Sequence, residues 1–138
     1  MKFPTHCRPR IYCASPLTRA KMWRVGIIPD TIEVVSTWHK DDLYEPDIPP
    51  DASASHWALN FAEMRQADGL LVYAERNDRP NGTLVEIGYC LAHEMPVHIV
   101  GNFAWGSWRY DPLITHHATL RDAVAFIVGE TIHDPTEN

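Results

Sequence analysis

The fold class this chain predicts is α/β: a doubly wound parallel sheet of four or five strands with helices on both faces. Short apolar, β-branched runs of strand length alternate with segments of helical spacing. The stretch Asp68–Ala92 shows the unit most clearly, with the apolar run Gly-Leu-Leu-Val-Tyr-Ala, a polar loop containing Gly82, and an almost wholly apolar helix. The 138 residues, 45% hydrophobic and 22% charged, suffice for one domain with a substantial core.

The elements follow in order. Residues 1–9 are a loose lead-in to a single domain spanning 1–138. Arg10–Ala14 is a short buried strand. Ser15-Pro16 offers an N-cap residue and a proline at the first helical position, opening a short helix to about Val25, bounded by Gly26 and Pro29. Ile32–Trp38 is β-branched and predicts the second strand. Residues 39–54, rich in proline and aspartate (Asp41, Asp42, Asp47, Asp51), predict a long loop of the kind that is functional or disordered. Ser55–Ala67 is a helix with Trp57, Phe61 and Met64 on its apolar side. Gly69–Ala74 is the third strand, Thr83–Glu94 a helix and Pro96–Gly101 the fourth strand. Residues 102–118 are an aromatic loop, with a short fifth strand near Leu113 as a further candidate. Thr119 to about Ile132 is the last helix, carrying Leu120, Val124 and Ile127 at helical spacing. In such sheets a ligand sits beyond the carboxyl ends of the strands. Ser15, the 75–83 segment and the aromatics of 102–110 are therefore expected to meet there.

Composition excludes several classes. A net charge of −6 without a Lys/Arg run argues against a nucleic-acid polymer as partner. Three cysteines (Cys7, Cys13, Cys90), odd in number and without a C-x-x-C pair, predict a reducing, cytoplasmic setting. No apolar leader and no run of membrane-spanning length is seen. Neither G-x-G-x-x-G nor G-x-x-x-x-G-K-[ST] occurs, and the eight histidines form no metal pattern; His116 and His117 are adjacent, poor geometry for a ligand pair. No cofactor and no metal are expected.

Glu86 is the residue that asks for an explanation, a lone acid among Leu84, Val85 and Ile87 near the start of a helix. Thr83-Leu-Val-Glu86 matches a capping box. The same helix start would also hold a carboxylate in its charged form, the form that attacks an anomeric carbon. Gly82 would let a substrate approach the backbone. Tyr12, at the end of the first strand, is either a half-buried tyrosine or the group that orients the acid. Ser15 is an N-cap whose helix start could hold a phosphate, with Arg19 one turn later. Asp68, Asp78 and Asn60 each have a bland reading as turn or solvated residues. Trp38, Trp105 and Trp108 could stack on a base or serve the core or a subunit contact.

The strand end Ile11-Tyr-Cys-Ala-Ser-Pro16 resembles the opening motif of the nucleoside 2-deoxyribosyltransferases. Ala67-Asp-Gly-Leu-Leu-Val-Tyr73 and Gly82-Thr-Leu-Val-Glu-Ile-Gly-Tyr-Cys-Leu-Ala92 look like that family's core signature. Pro96–Gly101 and the helix from Thr119 fit the same scheme, so the likeness spans nearly the whole chain. It implies a flavodoxin-like fold, no cofactor, a homodimer or larger homo-oligomer, and a small-molecule nucleoside or nucleotide substrate. Glu86 matches the family nucleophile, which forms a glycosyl ester with C1′ and passes the sugar to an acceptor base. Tyr12 matches the tyrosine that hydrogen-bonds it. Hydrolysis of (deoxy)nucleoside 5′-monophosphates is the related branch. Two positions depart from the pattern: Asn60 stands where an aspartate is common, and an amide cannot act as a general acid. Pro80 stands where an aspartate or serine is common, with Asp78 nearby.

The leading expectation is therefore cleavage and transfer at an N-glycosidic bond, with Glu86, Tyr12 and Asn60 catalytic and Ser15, Arg19, Asp78, Gly82 and Trp38 binding substrate. A nucleotide N-glycoside hydrolase is the nearest rival. A nucleotide-binding or sensor module without turnover is the second class, which the Asn60 departure favours, and a structural subunit is the third.

Overall fold

The computed structural model describes residues 8–40 and 48–132, the last three of these by backbone only. Strands β1 (Arg10–Ala14), β2 (Glu33–Val34), β3 (Gly69–Tyr73), β4 (Val97–Val100) and β5 (Ile114–His117) form one sheet in the order β2-β1-β3-β4-β5. Every pairing is parallel. This is the flavodoxin-like order, whose direction reverses between β1 and β3. The described residues also form α-helices α1 (Ala20–Arg24), α2 (Pro50–Arg65), α3 (Asn81–Ala92) and α4 (Leu120–Ile132).

Register shows which helix covers which face. Tyr12 is level with Leu70, and Leu71 with His98. Successive residues of a strand point to opposite faces, so these two rows lie on opposite sides. On one side Tyr12 meets Glu86 of α3. On the other, the His98 ring lies against Phe126 of α4, centroids 5.6 Å apart. α2 packs beside α3, where Phe61 stacks on Tyr89 at 4.8 Å and the Cys90 thiol lies 3.8 Å from the Met64 sulfur. Central position explains why Gly69–Val72 of β3 is wholly buried. Each fully buried leucine there stabilises the fold by about 1.5–3 kcal/mol.

Several boundaries differ from the sequence expectation. The second strand ends at Val34 rather than Trp38. After a last backbone bond, the Val35 N–H donating to the Ile11 carbonyl at 2.9 Å, side chains replace the ladder on β1: the Cys13 N–H donates to Ser36 Oγ (3.0 Å), and the Trp38 indole N–H donates to the Cys13 carbonyl (2.7 Å). Trp38 instead opens a 3-10 turn, Trp38–Lys40. The segment after β1 is a 3-10 turn, Leu17–Arg19, leading into only five α-helical residues. Ser15 is therefore not an N-cap: its hydroxyl donates to the Pro16 carbonyl and accepts the Trp23 indole N–H at 2.9 Å. α2 begins at Pro50, a proline in its preferred first-turn place, so the latter part of the expected 39–54 loop is helical. The rest of that expectation, residues 41–47, lies outside the described residues, as do 1–7 of the lead-in. α4 starts one residue later than expected, with Thr119 Oγ1 accepting the Asp122 N–H at 3.1 Å.

At the end of β4 the chain turns through Gly101, whose φ of +100° lies in glycine's region. A Cβ there would run into the Ala74 carbonyl. The two backbones are joined by the Ala74 N–H donating to the Val100 carbonyl at 3.2 Å.

Candidate active site

A cavity of about 500 Å³ opens beyond the carboxyl ends of β1 and β3, at the point where strand order reverses. Ser15, Pro16, Leu17 and Thr18 form one wall and Trp38 another. α2 contributes Ser53, His56, Trp57 and Asn60. The loop after β3 and the start of α3 supply Asn77, Asp78, Arg79, Pro80, Asn81, Gly82, Thr83 and Glu86. The aromatic loop after β4 does not join them, contrary to expectation. Gly101, Asn102, Arg109 and Tyr110 line a separate, shallower cavity of about 340 Å³. The cause is sheet order, which sets β4 away from the β1/β3 reversal.

Glu86 lies on this cavity and is only 5% exposed. The capping-box reading fails. α3 begins at Asn81 after Pro80, which makes no side-chain cap, so Thr83 is already inside the first turn and Glu86 is in the second. The helix start cannot favour the ionised carboxyl as expected, because that effect fades within the first turn. Burial instead lifts the Glu86 pKa to about 8, partly opposed by hydrogen bonding to Tyr12. The Tyr12 phenol is pushed above its ordinary range by burial and then by the charge of Glu86. The two groups thus face each other, yet no acceptor stands in full hydrogen-bonding geometry to the Tyr12 oxygen. Tyr12 does not line the cavity; it backs the acid from β1.

Asn60 Oδ1 and Thr83 Oγ1 line the cavity and, like the Tyr12 oxygen, are buried without a hydrogen-bond partner. Buried polar atoms in proteins are normally satisfied. Two such atoms in the lining, Asn60 Oδ1 and Thr83 Oγ1, are suited to receive polar groups from a ligand.

Arg19 and Asp78, singled out separately in the sequence, are bound to each other. Arg19 Nε donates to Asp78 Oδ2 at 2.7 Å and Nη2 to Oδ1 at 3.2 Å, with the guanidinium 5.2 Å above the Tyr73 ring. Asp78 also accepts the Glu75 N–H at 2.7 Å. These bonds hold its carboxyl below its ordinary pKa, that of Arg19 foremost. Asp78 lines the cavity and Arg19 does not. Trp38 is held in the wall by its bond to Cys13. The neighbouring Thr37 gives its N–H (3.0 Å) and hydroxyl (2.6 Å) to the Glu63 carboxylate of α2. Sequence reasoning did not single out His56, Thr83 as a cavity group, or Glu63. A signal existed for one of them: His56 and Asn60 are four apart on one helix and share a face.

Among the described residues no group of three or more His, Cys, Asp or Glu is placed to hold a metal ion. His98 and His117 do meet, with Nδ1 and Nε2 3.1 Å apart, and both are held below the ordinary histidine pKa, chiefly by burial. No helix among the described residues is long and apolar enough to cross a membrane.

Solved structures similar to this chain include the following two. One is a conserved protein from Enterococcus faecalis V583, at 15% identity and a TM-score of 0.58, covering 90% of this chain and 99% of that one. The other is a CMP N-glycosidase from Clostridium botulinum, at 13% identity and a TM-score of 0.50, covering 84% of this chain and 95% of that one. At these identities the likeness establishes the fold. No family model and no curated protein matches the chain.

Proposed function

We propose that the protein cleaves the N-glycosidic bond of a deoxynucleoside and transfers the 2-deoxyribosyl group between nucleobases. The observation that carries this reading is the buried Glu86 carboxyl, backed by Tyr12, on the wall of a cavity where Asn60 Oδ1 and Thr83 Oγ1 are buried without partners. In its ionised form one Glu86 oxygen attacks C1′. The C1′–N bond breaks with its electron pair leaving on the base, and a glycosyl ester forms. An acceptor base then displaces the carboxylate. Dividing the reaction in this way replaces one high barrier by two lower ones. Tyr12 orients the carboxyl, Asn60 and Thr83 take sugar hydroxyls, and Ser15, Gly82 and Trp38 shape the pocket. Asp78 contributes through the loop that Arg19 braces.

Hydrolysis of a nucleoside 5′-monophosphate, with water as acceptor, is the second reading. It is favoured by the fold shared with a CMP N-glycosidase and by Thr18 in the cavity wall, whose hydroxyl can donate to a phosphate. A binding module without turnover has no comparable support.

Exposed Leu59 on α2 and Leu84 and Val85 on α3 support self-association into a homodimer or larger oligomer. Free, buried Cys13 and Cys90 suit a reducing cytoplasm.

Incubation with deoxyinosine and free adenine, followed by chromatography, separates the readings. Deoxyadenosine identifies a transferase. Hypoxanthine without a new nucleoside, or cytosine released from CMP or dCMP, identifies a hydrolase. Unchanged substrates in all these mixtures reject both, and Glu86→Ala must abolish whatever turnover is found.

A further inference from the structure

We propose that His56 is the general acid that protonates the departing base, an assignment that rests on the glycosyl-transfer reading above. A nucleobase leaves poorly as an anion, so a proton has to reach its ring nitrogen as the C1′–N bond breaks. Four titratable side chains line the cavity among the described residues: His56, Asp78, Arg79 and Glu86. A guanidinium is not a proton donor in catalysis, which sets Arg79 aside. Asp78 is clamped by Arg19 and by the Glu75 N–H, which keep it ionised and without a proton to give. Glu86 is the attacking group and must itself be ionised. Asn60, the other α2 residue closest to the acid in character, has an amide with no titrating proton. His56 is what remains, and imidazole is the side chain best suited to such a transfer near neutral pH.

Its position agrees. His56 and Asn60 lie one turn apart on the same face of α2, about 6 Å along the axis. Asn60 is buried, as is Glu86, whereas His56 is half-exposed. Trp57 is its neighbour in the wall. A sugar seated on Glu86 and Asn60 directs its base outward past His56. In the first half-reaction the imidazolium proton moves to the base nitrogen and leaves neutral imidazole. In the second, that imidazole takes a proton from the acceptor, base or water, as the ester breaks and Glu86 is regenerated.

The test compares 2′-deoxyguanosine with its N7-methyl cation, whose base leaves as a neutral molecule without added protons. His56→Gln should lower kcat on deoxyguanosine about 10²-fold or more while changing turnover of the methylated substrate less than about threefold. His56→Asn should behave alike, and added imidazole should restore part of the loss. Equal losses on both substrates, with an unchanged melting temperature, would mean a positioning role and overturn the assignment. So would full activity of His56→Gln on deoxyguanosine, or turnover of neither substrate by the unaltered protein. Glu86→Ala separates the two claims, since it must lose both substrates. If it keeps them, the glycosyl-ester reading fails, whatever His56 does.

Discussion

The phenol of Tyr12 and the carboxyl of Glu86 oppose each other across the space between β1 and α3, and each alters the other's ionisation. Burial lifts Glu86 to about 8, and the phenol pulls it in the opposite direction. The nucleophilic form is therefore the minor one at neutral pH, and the protein carries this acid at a cost.

That cost is measurable through Glu86→Gln. A carboxyl whose folded pKa lies above its ordinary 4.5 binds its proton more tightly folded than unfolded. Stability is thus full below pH 4.5 and declines as pH rises toward about 8. Replacement by glutamine should remove the decline and raise stability at pH 8 by on the order of a few kcal/mol. Denaturant unfolding of both proteins at pH 5 and pH 8 checks it: the two curves should diverge only at the higher pH.

For the N7-methylated substrate, which needs no proton from His56, kcat/KM should climb with pH through the region near 8, as the free carboxyl ionises. A profile flat from pH 5 to 9 would contradict the ionisation assigned to Glu86.

Tyr12→Phe removes a buried hydroxyl that has no full hydrogen bond in the empty site. Melting temperature should hold or rise, because an unsatisfied buried polar atom is lost. The rising limb should move to higher pH, because the phenol's opposing effect on Glu86 is gone, and kcat should fall by about 10–10²-fold.

Asp78→Ala frees Arg19 and the Glu75 N–H, loosening the loop between β3 and α3. KM should rise about tenfold with a smaller change in kcat. The stability loss should stay near 1 kcal/mol or below, since the pair is partly open to solvent. Because Asp78 is held below its ordinary pKa, whatever stability it supplies is present at neutral pH and lost on acidification.

Ser36→Ala strands the buried Cys13 N–H and the His39 Nε2, both now within 3.0 Å of the serine oxygen. A loss of about 1–3 kcal/mol in chemical denaturation is expected.

Local pattern carried much of the fold. The apolar runs at β1, β3 and β4 and the strand–loop–helix unit around Glu86 are visible as strings, because burial on both faces demands continuous apolar residues. The end of β2 was not visible. Its β-branched residues favour extension, but Ser36 and Trp38 spend their side chains on the neighbouring strand, a tertiary choice. The capping-box match misled because the helix starts at Asn81, two residues before Thr83. In the site, Glu86, Asn60, Ser15, Gly82 and Trp38 were singled out from local features and all line the cavity. The bond between Arg19 and Asp78 spans 59 positions, and no local spacing could announce it.

The seat of Gly101 under Ala74 also bears on redesign. Main-chain contact alone pins the exits of β3 and β4 to each other, so the segments 75–80 and 102–113 depart from two fixed posts. Foreign loops of other lengths can be grafted onto those posts with the sheet left as it is, provided the glycine is retained. The wall that 75–80 gives the candidate site can therefore be varied without touching 102–113, which lines the separate cavity.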